Sequence, residues 1–148
     1  METNLIKMKN NELNLVIGFL MELKLKGRES RMRTRFVKQL QTYYSDLVLE
    51  EQQQLIEEHG ERDENGELIM RPMELEDGTT ASEYSIKDVP TFNKEVTELF
   101  NEEYVVEVTE ENRLMLETVS EAVFNYDEEI NGLKALQYDR ICEIFEGY

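Results

Sequence analysis

The apolar positions between residues 12 and 59 recur every three or four residues, which is the spacing of amphipathic helices. The first series predicts a helix that begins after Asn10 and Asn11 and ends at Gly27, because asparagine suits a helix N-terminus and glycine its end. A second helix is predicted from Ser30 to about Glu58. Its packing seam consists of Met32, Phe36, Leu40, Tyr43 and Leu47. A helix of roughly 29 residues spans about 43 Å, which favours a helical hairpin or a coiled-coil arm.

Residues 60–90 lose the helical period and predict an exposed, mobile excursion with at most a small hairpin. Asp63-Glu64-Asn65-Gly66 is typical of a tight turn, because Asn-Gly readily adopts positive φ. Residues 68–70 predict a short strand after that turn, and residues 76–82 predict a second loop.

The remaining chain predicts one strand and three helices. The strand at residues 104–108 is rich in β-branched and aromatic side chains, and residues 5–8 or 68–70 are its possible partners. Helices are predicted from Phe92 to about Glu103, from about Thr109 onward, and from Gly132 or Leu133, the last with Leu133, Leu136, Ile141, Ile144 and Phe145 as its apolar residues. The predicted fold is one mainly α (α+β) domain over residues 1–148: a long antiparallel helical hairpin, a small antiparallel sheet and C-terminal helices.

Charge is divided unequally along the chain, whose net charge is −17. Residues 1–44 carry nine basic and four acidic side chains, whereas residues 45–148 carry seven basic and twenty-nine acidic ones. Such asymmetry indicates either solvated faces or a charged interaction surface. A field this negative repels nucleic acid and attracts basic partners.

The basic residues concentrate in residues 24–38, with only one acid among them. We expect this stretch to pair mainly with the chain's own acids, across the hairpin or between subunits; a protein partner and nucleic acid are the alternatives. The candidate interaction surface combines basic residues at the start of the long helix with acidic residues further along it, and it comprises Arg28, Arg31, Arg35, Lys38, Glu50, Glu51, Glu57 and Glu58.

The inventory of reactive side chains argues against catalysis, so we predict no catalytic, cofactor-binding or metal-binding residues. The only histidine, His59, is interpreted as a solvent-facing helix cap, and the only cysteine, Cys142, as a core thiol. One histidine and one cysteine do not make a transition-metal site of the usual ligands. The lone cysteine fits an intracellular protein. The sequence contains no run of eighteen apolar residues, so we predict no membrane span.

Three segments resemble a family of small, uncharacterised proteins encoded by tailed phages and prophages of Gram-positive bacteria. They are residues 23–38, the Asp63-Glu64-Asn65-Gly66 turn and residues 135–140. The resemblance covers most of the chain. It implies a phage protein made in a bacterial cytoplasm, and it transfers no catalytic or binding residues, because that family has none assigned.

These observations lead to three functional hypotheses. The first is a non-enzymatic phage protein that binds and inhibits a host protein, such as a defence or nucleic-acid-handling enzyme. The second is a virion structural or assembly accessory protein that acts as a homo-oligomer. The third, least favoured, is a weak nucleic-acid binder that uses Arg31, Arg35 and Lys38.

Overall fold

The computed structural model describes residues 4–147 and confirms a mainly α fold with small antiparallel sheets. The helices are α1 (Leu13–Glu22), α2 (Gly27–Tyr43), α3 (Leu49–His59), α4 (Val89–Asn101), α5 (Arg113–Phe124) and α6 (Gly132–Glu146). The strands are β1 (Leu5–Lys9), β2 (Met70–Glu74), β3 (Thr80–Tyr84) and β4 (Glu103–Glu107). A 3-10 turn (Asn10–Glu12) precedes α1, and a π-helix (Tyr44–Val48) follows α2.

Close contacts divide the chain into two compact units. Asp46–Phe100 forms one of them, which we call the inserted unit. The described residues before and after it, 4–45 and 101–147, form the discontinuous unit. The expectation of a single domain over residues 1–148 stays a prediction.

Strands β1 and β4 pair in the discontinuous unit, with a register that runs from Leu5 opposite Glu107 to Lys9 opposite Glu103. The strand predicted at residues 104–108 therefore exists, one residue earlier, and its partner is the N-terminal segment. Because alternate side chains of a strand point to opposite faces, Ile6 and Met8 are buried while Lys7 and Lys9 are exposed.

Helices α1, α2, α5 and α6 supply most of the core of this unit. Phe36 is fully buried and lies edge-on to Phe145, with 6.1 Å between the ring centroids. The other buried apolar side chains in these helices are Leu13, Val16, Phe19, Leu20, Val37, Leu40, Leu116, Val119, Val123, Ile141 and Ile144.

The predicted seam of the long helix is correct as far as Leu40 and wrong at Leu47, whose side chain is 45% exposed. The cause is the π-helix, which has more residues per turn than an α-helix. The next buried position after Tyr43 therefore falls five residues on, at Val48, instead of four.

Two leucines assigned to the apolar set of the last helix are also exposed, Leu133 by 70% and Leu136 by 71%. Leu136 precedes Arg140 and Glu143 by four and seven residues, so it lies on the polar face of α6. The buried stripe of α6 instead consists of Ile141, Ile144 and Phe145.

The junction between α1 and α2 also differs from the expectation. Helix α1 ends at Glu22, and Gly27, with φ +41°, begins α2 instead of closing α1. The buried guanidinium of Arg33 donates from Nη1 to the carbonyl oxygens of Leu20 (2.7 Å) and Leu23 (2.8 Å), and from Nη2 to Ser30 Oγ (3.0 Å). A cation of α2 thus satisfies carbonyls at the C-terminus of α1, where the helix dipole favours positive charge.

Glu12 links the N-terminal segment to α6. Its Oε2 accepts a hydrogen bond from Arg140 Nε at 2.6 Å, and its Oε1 accepts from Arg140 Nη2 (3.1 Å) and from the Lys9 backbone N–H (2.9 Å). The hydrogen bonds from Arg140 are the main cause that lowers the pKa of Glu12, with the Lys9 amide acting in the same direction.

The inserted unit contains α3, the β2–β3 hairpin and most of α4. The turn predicted at residues 63–66 exists: Asp63 Oδ1 accepts the N–H groups of Asn65 and Glu67, and Gly66 has φ +80°. The strand predicted at residues 68–70 is β2, two residues later, and it pairs with β3 inside the segment predicted to be a loop.

The inserted unit has a thin core. Val48 and Leu99 are its buried apolar side chains, and α3 contributes no buried residue. Within the described residues, no helix has both the length and the apolar character needed to cross a membrane.

Candidate interaction surfaces

The basic part of the predicted surface forms one exposed face of α2. Arg28, Arg31, Arg35 and Lys38 follow one another at intervals of three or four residues, and all are exposed. Arg31, Arg35 and Lys38 line a cleft of about 270 Å³, together with the hydroxyl-bearing side chains of Ser30 and Thr34.

Internal pairing of this basic face is absent from the part of the chain that the structure describes. The ion pairs seen there are Glu12–Arg140, Arg140–Glu143, Glu22–Lys134 and His59–Glu95. None involves Arg28, Arg31, Arg35 or Lys38, so the pairing expected within the hairpin is not observed. Contact with a second copy or another partner remains the alternative that the sequence offered.

The acidic part of the predicted surface lies on α3, in the inserted unit. Glu50, Glu57 and Glu58 are exposed, and Glu51 is half-buried. The inserted unit as a whole holds sixteen acidic and four basic side chains, a net charge of −12 in 55 residues. Their part in an interaction surface stays a prediction.

Exposed apolar side chains accompany the acids of the inserted unit, and sequence analysis did not single them out as a surface. They are Leu47, Leu49, Met70, Met73, Leu75 and Val89. Neighbouring polar positions carry charge, as in the exposed run of β2, which is Met70-Arg71-Pro72-Met73-Glu74. We use the name acidic–apolar surface for the exposed acids of the inserted unit taken together with these exposed apolar side chains, which come from several of its elements.

His59, predicted to be a solvent-facing cap, is instead mostly enclosed, since its side chain is only 14% exposed. Its Nε2 lies 2.6 Å from Glu95 Oε2, and its ring meets that of Phe92 edge-on at 5.9 Å. Glu95 is 36 residues away in sequence, so the tertiary fold brings it to His59, the last residue of α3. The three-residue spacing of Phe92 and Glu95 places both on one face of α4. This spacing is the feature of the sequence that could have indicated a shared contact with His59.

Glu58 completes a cluster with His59 and Glu95, in which one ligand atom from each lies within 4.8 Å of the others. Asp88 lies close enough to His59 to be affected by its positive form. The hydroxyl of Thr91 donates to Asp88 Oδ2 at 2.7 Å and is the main cause that lowers the pKa of Asp88. Three carboxylates therefore lie around one imidazole.

The discontinuous unit has an aromatic cluster of Phe19, Tyr126 and Tyr138. Tyr138 donates its hydroxyl to the Val123 carbonyl at 2.7 Å, and burial raises the pKa of Tyr138 to about 12. Cys142, half-buried, interacts with this tyrosine. The cluster borders an open cleft of about 480 Å³, whose other apolar lining residues include Leu15, Leu133 and Ile141.

Comparison of the chain with protein-family models, with curated proteins and with solved structures finds no match.

Proposed function

We propose that this is a non-enzymatic binding protein whose partner is another protein with a basic surface. The observation that carries the proposal is the acidic–apolar surface of the inserted unit, with its net charge of −12 and its exposed leucine and methionine side chains. Charge of this density supports fast, oriented association with a basic protein. The apolar side chains supply the area whose burial adds affinity.

The exposure of side chains in the inserted unit supports contact with a partner through its surface. Its hairpin residues are almost all exposed, and its buried apolar side chains are few. Folding of this unit alone therefore leaves much apolar area in water, and a partner that covers this area would stabilise it. Methionine is well suited to such a surface, because its flexible side chain adapts to different partner shapes.

The proposal includes where the protein is made and what its binding does to the partner. The resemblance of residues 23–38, 63–66 and 135–140 to a phage family supports a protein made in a bacterial host cytoplasm. A basic groove that normally receives nucleic acid is the natural counterpart of an acidic surface, so the proposed partner is a host defence or nucleic-acid-handling enzyme, which is inhibited when its groove is occupied.

A salt-dependent capture experiment tests this proposal. The full chain is immobilised, incubated with lysate of a Gram-positive host at about 50 mM and at about 500 mM salt, and its bound proteins are identified by mass spectrometry. We expect a basic host protein to be retained selectively at low salt, and the purified pair to lose the activity of that host protein. Retention of no host protein at low salt would remove the proposal's basis.

The exposed leucines of α6 favour a second candidate function. Leu133 and Leu136 lie near the start of α6 in the discontinuous unit, and a homo-oligomeric virion or assembly protein would bury such side chains between copies. Analytical ultracentrifugation of the wild-type chain and of the Leu133→Ser/Leu136→Ser variant tests this. An oligomer that the variant abolishes, together with detection in purified particles, supports the candidate; a monomer absent from particles eliminates it.

A further inference from the structure

We propose that Glu58, His59 and Glu95 form a binding site for a divalent transition-metal ion, of which Zn²⁺ is the best suited. The three residues present two carboxylates and one imidazole from α3 and α4, with ligand atoms within 4.8 Å of one another. All three belong to the inserted unit. This inference is independent of the proposed partner binding.

The donor set determines the class of ion. Imidazole nitrogen and carboxylate oxygen are both ordinary Zn²⁺ ligands, at about 2.0–2.2 Å, and three protein ligands leave one tetrahedral position for water. A single imidazole disfavours Mg²⁺ and Ca²⁺, which prefer oxygen ligands throughout. The absence of a thiolate in the cluster also makes the site less suited to soft ions such as Cu⁺.

The imidazole is already held in place. The ring is 86% covered, it packs against the edge of Phe92, and the backbone carbonyl of His59 accepts the Lys87 N–H at 2.9 Å. An oriented, enclosed imidazole loses little side-chain entropy when it binds an ion. Glu95 is on the neighbouring helix with its carboxylate already directed at Nε2.

Binding requires only a small local rearrangement. Tetrahedral Zn²⁺ separates its ligand atoms by about 3.3 Å, given bonds near 2.0 Å. His59 Nε2 and Glu95 Oε2, now 2.6 Å apart, would open slightly, and the exposed side chain of Glu58 would close toward them. The ion would lie between Nε2 and Oε2, and the ring proton of the metal-bound imidazole would be on Nδ1.

The surroundings favour a cation. Asp88 adds a third carboxylate near the imidazole, and the unit's net charge of −12 raises the local concentration of divalent ions. The basic residues of the same unit, which include Lys87 and Lys94, oppose this field. Asp88 is engaged by Thr91 and acts through its charge, not as a ligand.

Because the chain has one histidine, the test can be read at a single imidazole. Metal-free full-length protein is titrated with Zn²⁺ alone by calorimetry, and the ring signals of His59 are followed by ¹H–¹⁵N NMR in parallel. We expect one Zn²⁺ per chain and a shift of Nε2 to the range of a metallated nitrogen. Glu95→Gln and His59→Gln should weaken binding about tenfold or more.

Two control variants separate the site from general attraction of cations. Glu98→Gln removes the same charge one turn further along α4 from an exposed position and should leave the affinity within about twofold. Cys142→Ser should also leave it unchanged, since that thiol lies in the discontinuous unit. Circular dichroism confirms that each variant is folded.

Several outcomes would overturn the proposal. These are binding of many equivalent weak ions, equal losses for Glu98→Gln and Glu95→Gln, dependence on Cys142, or wild-type His59 signals that do not respond to Zn²⁺. The NMR measurement on the wild-type chain decides the question even where a variant fails to fold.

Discussion

Arg33 and Glu12 show how single polar residues fix the arrangement of elements in the discontinuous unit. Arg33 is one of seven basic residues between positions 24 and 38, and the sequence alone does not distinguish it from its exposed neighbours. In the structure its guanidinium is buried against the C-terminal end of α1, where the carbonyl oxygens of Leu20 and Leu23 accept its hydrogen bonds. Its function is structural, whereas Arg31 and Arg35 remain available for contact with a partner.

Replacement of Arg33 by Met should lower the free energy of unfolding by about 2–4 kcal/mol, because it leaves the carbonyls of Leu20 and Leu23 without a buried donor. Urea unfolding followed by circular dichroism measures this change. Arg31→Met, an equal change at an exposed position, is the control and should alter stability by no more than about 0.5 kcal/mol. Equal effects of the two substitutions would contradict the capping role.

Replacement of Glu12 by Gln should cost about 1–2 kcal/mol at pH 7, because it removes a charged pair with Arg140. The pKa of Glu12 is lowered below its ordinary value of 4.5 in the folded chain. The pair therefore contributes its full stability above that value and loses it as the pH falls through the lower, folded-state pKa. The difference in unfolding free energy between wild type and variant should accordingly shrink below about pH 4.5; a difference independent of pH would refute this account.

Among the elements, the π-helix that follows α2 has the largest effect on the exposed surface. It moves burial from Leu47 to Val48, so leucines at positions 47 and 49 remain exposed beside the acids of α3. A prediction from spacings of three and four residues assumes an α-helix throughout. It therefore misses the extra residue per turn of a π-helix and the shift of burial from Leu47 to Val48.

A pair of alanine substitutions tests whether the π-helix moves the buried position from Leu47 to Val48. Phe36→Ala should cost about 3–5 kcal/mol, because the ring is fully buried against Phe145. Leu47→Ala should cost no more than about 1 kcal/mol, since its side chain is nearly half exposed. Chemical denaturation of both variants is the measurement. A large loss for Leu47→Ala would show that the uninterrupted seam is correct after all.

The parts of the fold that could be predicted from sequence are those set by local periodicity and turn chemistry. The helical stripe around Phe36, the β-branched strand after residue 103 and the Asn65-Gly66 turn are of this kind. The His59–Glu95 contact, the burial of Arg33 and the extent of the β2–β3 hairpin depend on residues distant in the chain or on backbone carbonyls. The exposed face of α2 could be predicted, whereas the absence of ion pairs between it and the other described residues could not.

At the scale of the whole molecule, charge is the property that distinguishes the two units. The inserted unit carries −12 and the rest of the chain −5, although the basic face of α2 lies in the latter. We propose that the inserted unit binds the partner, because its high negative charge and its exposed apolar side chains occur together. The proposed ion at His59 is a separate property of the same unit.

The most direct test of the central claim compares two quadruple variants with equal charge change. The first replaces Glu50, Glu51, Glu57 and Glu64 by Gln in the inserted unit and leaves the proposed metal ligand Glu58 in place; the second replaces the exposed acids Glu110, Glu111, Glu128 and Glu129 of the discontinuous unit by Gln. Capture of the host protein from lysate is quantified for wild type and both variants at low salt. We predict that the first variant loses capture about tenfold or more while the second retains most of it. Equal capture by the two variants, or loss in the second alone, would contradict the claim that the inserted unit binds the partner.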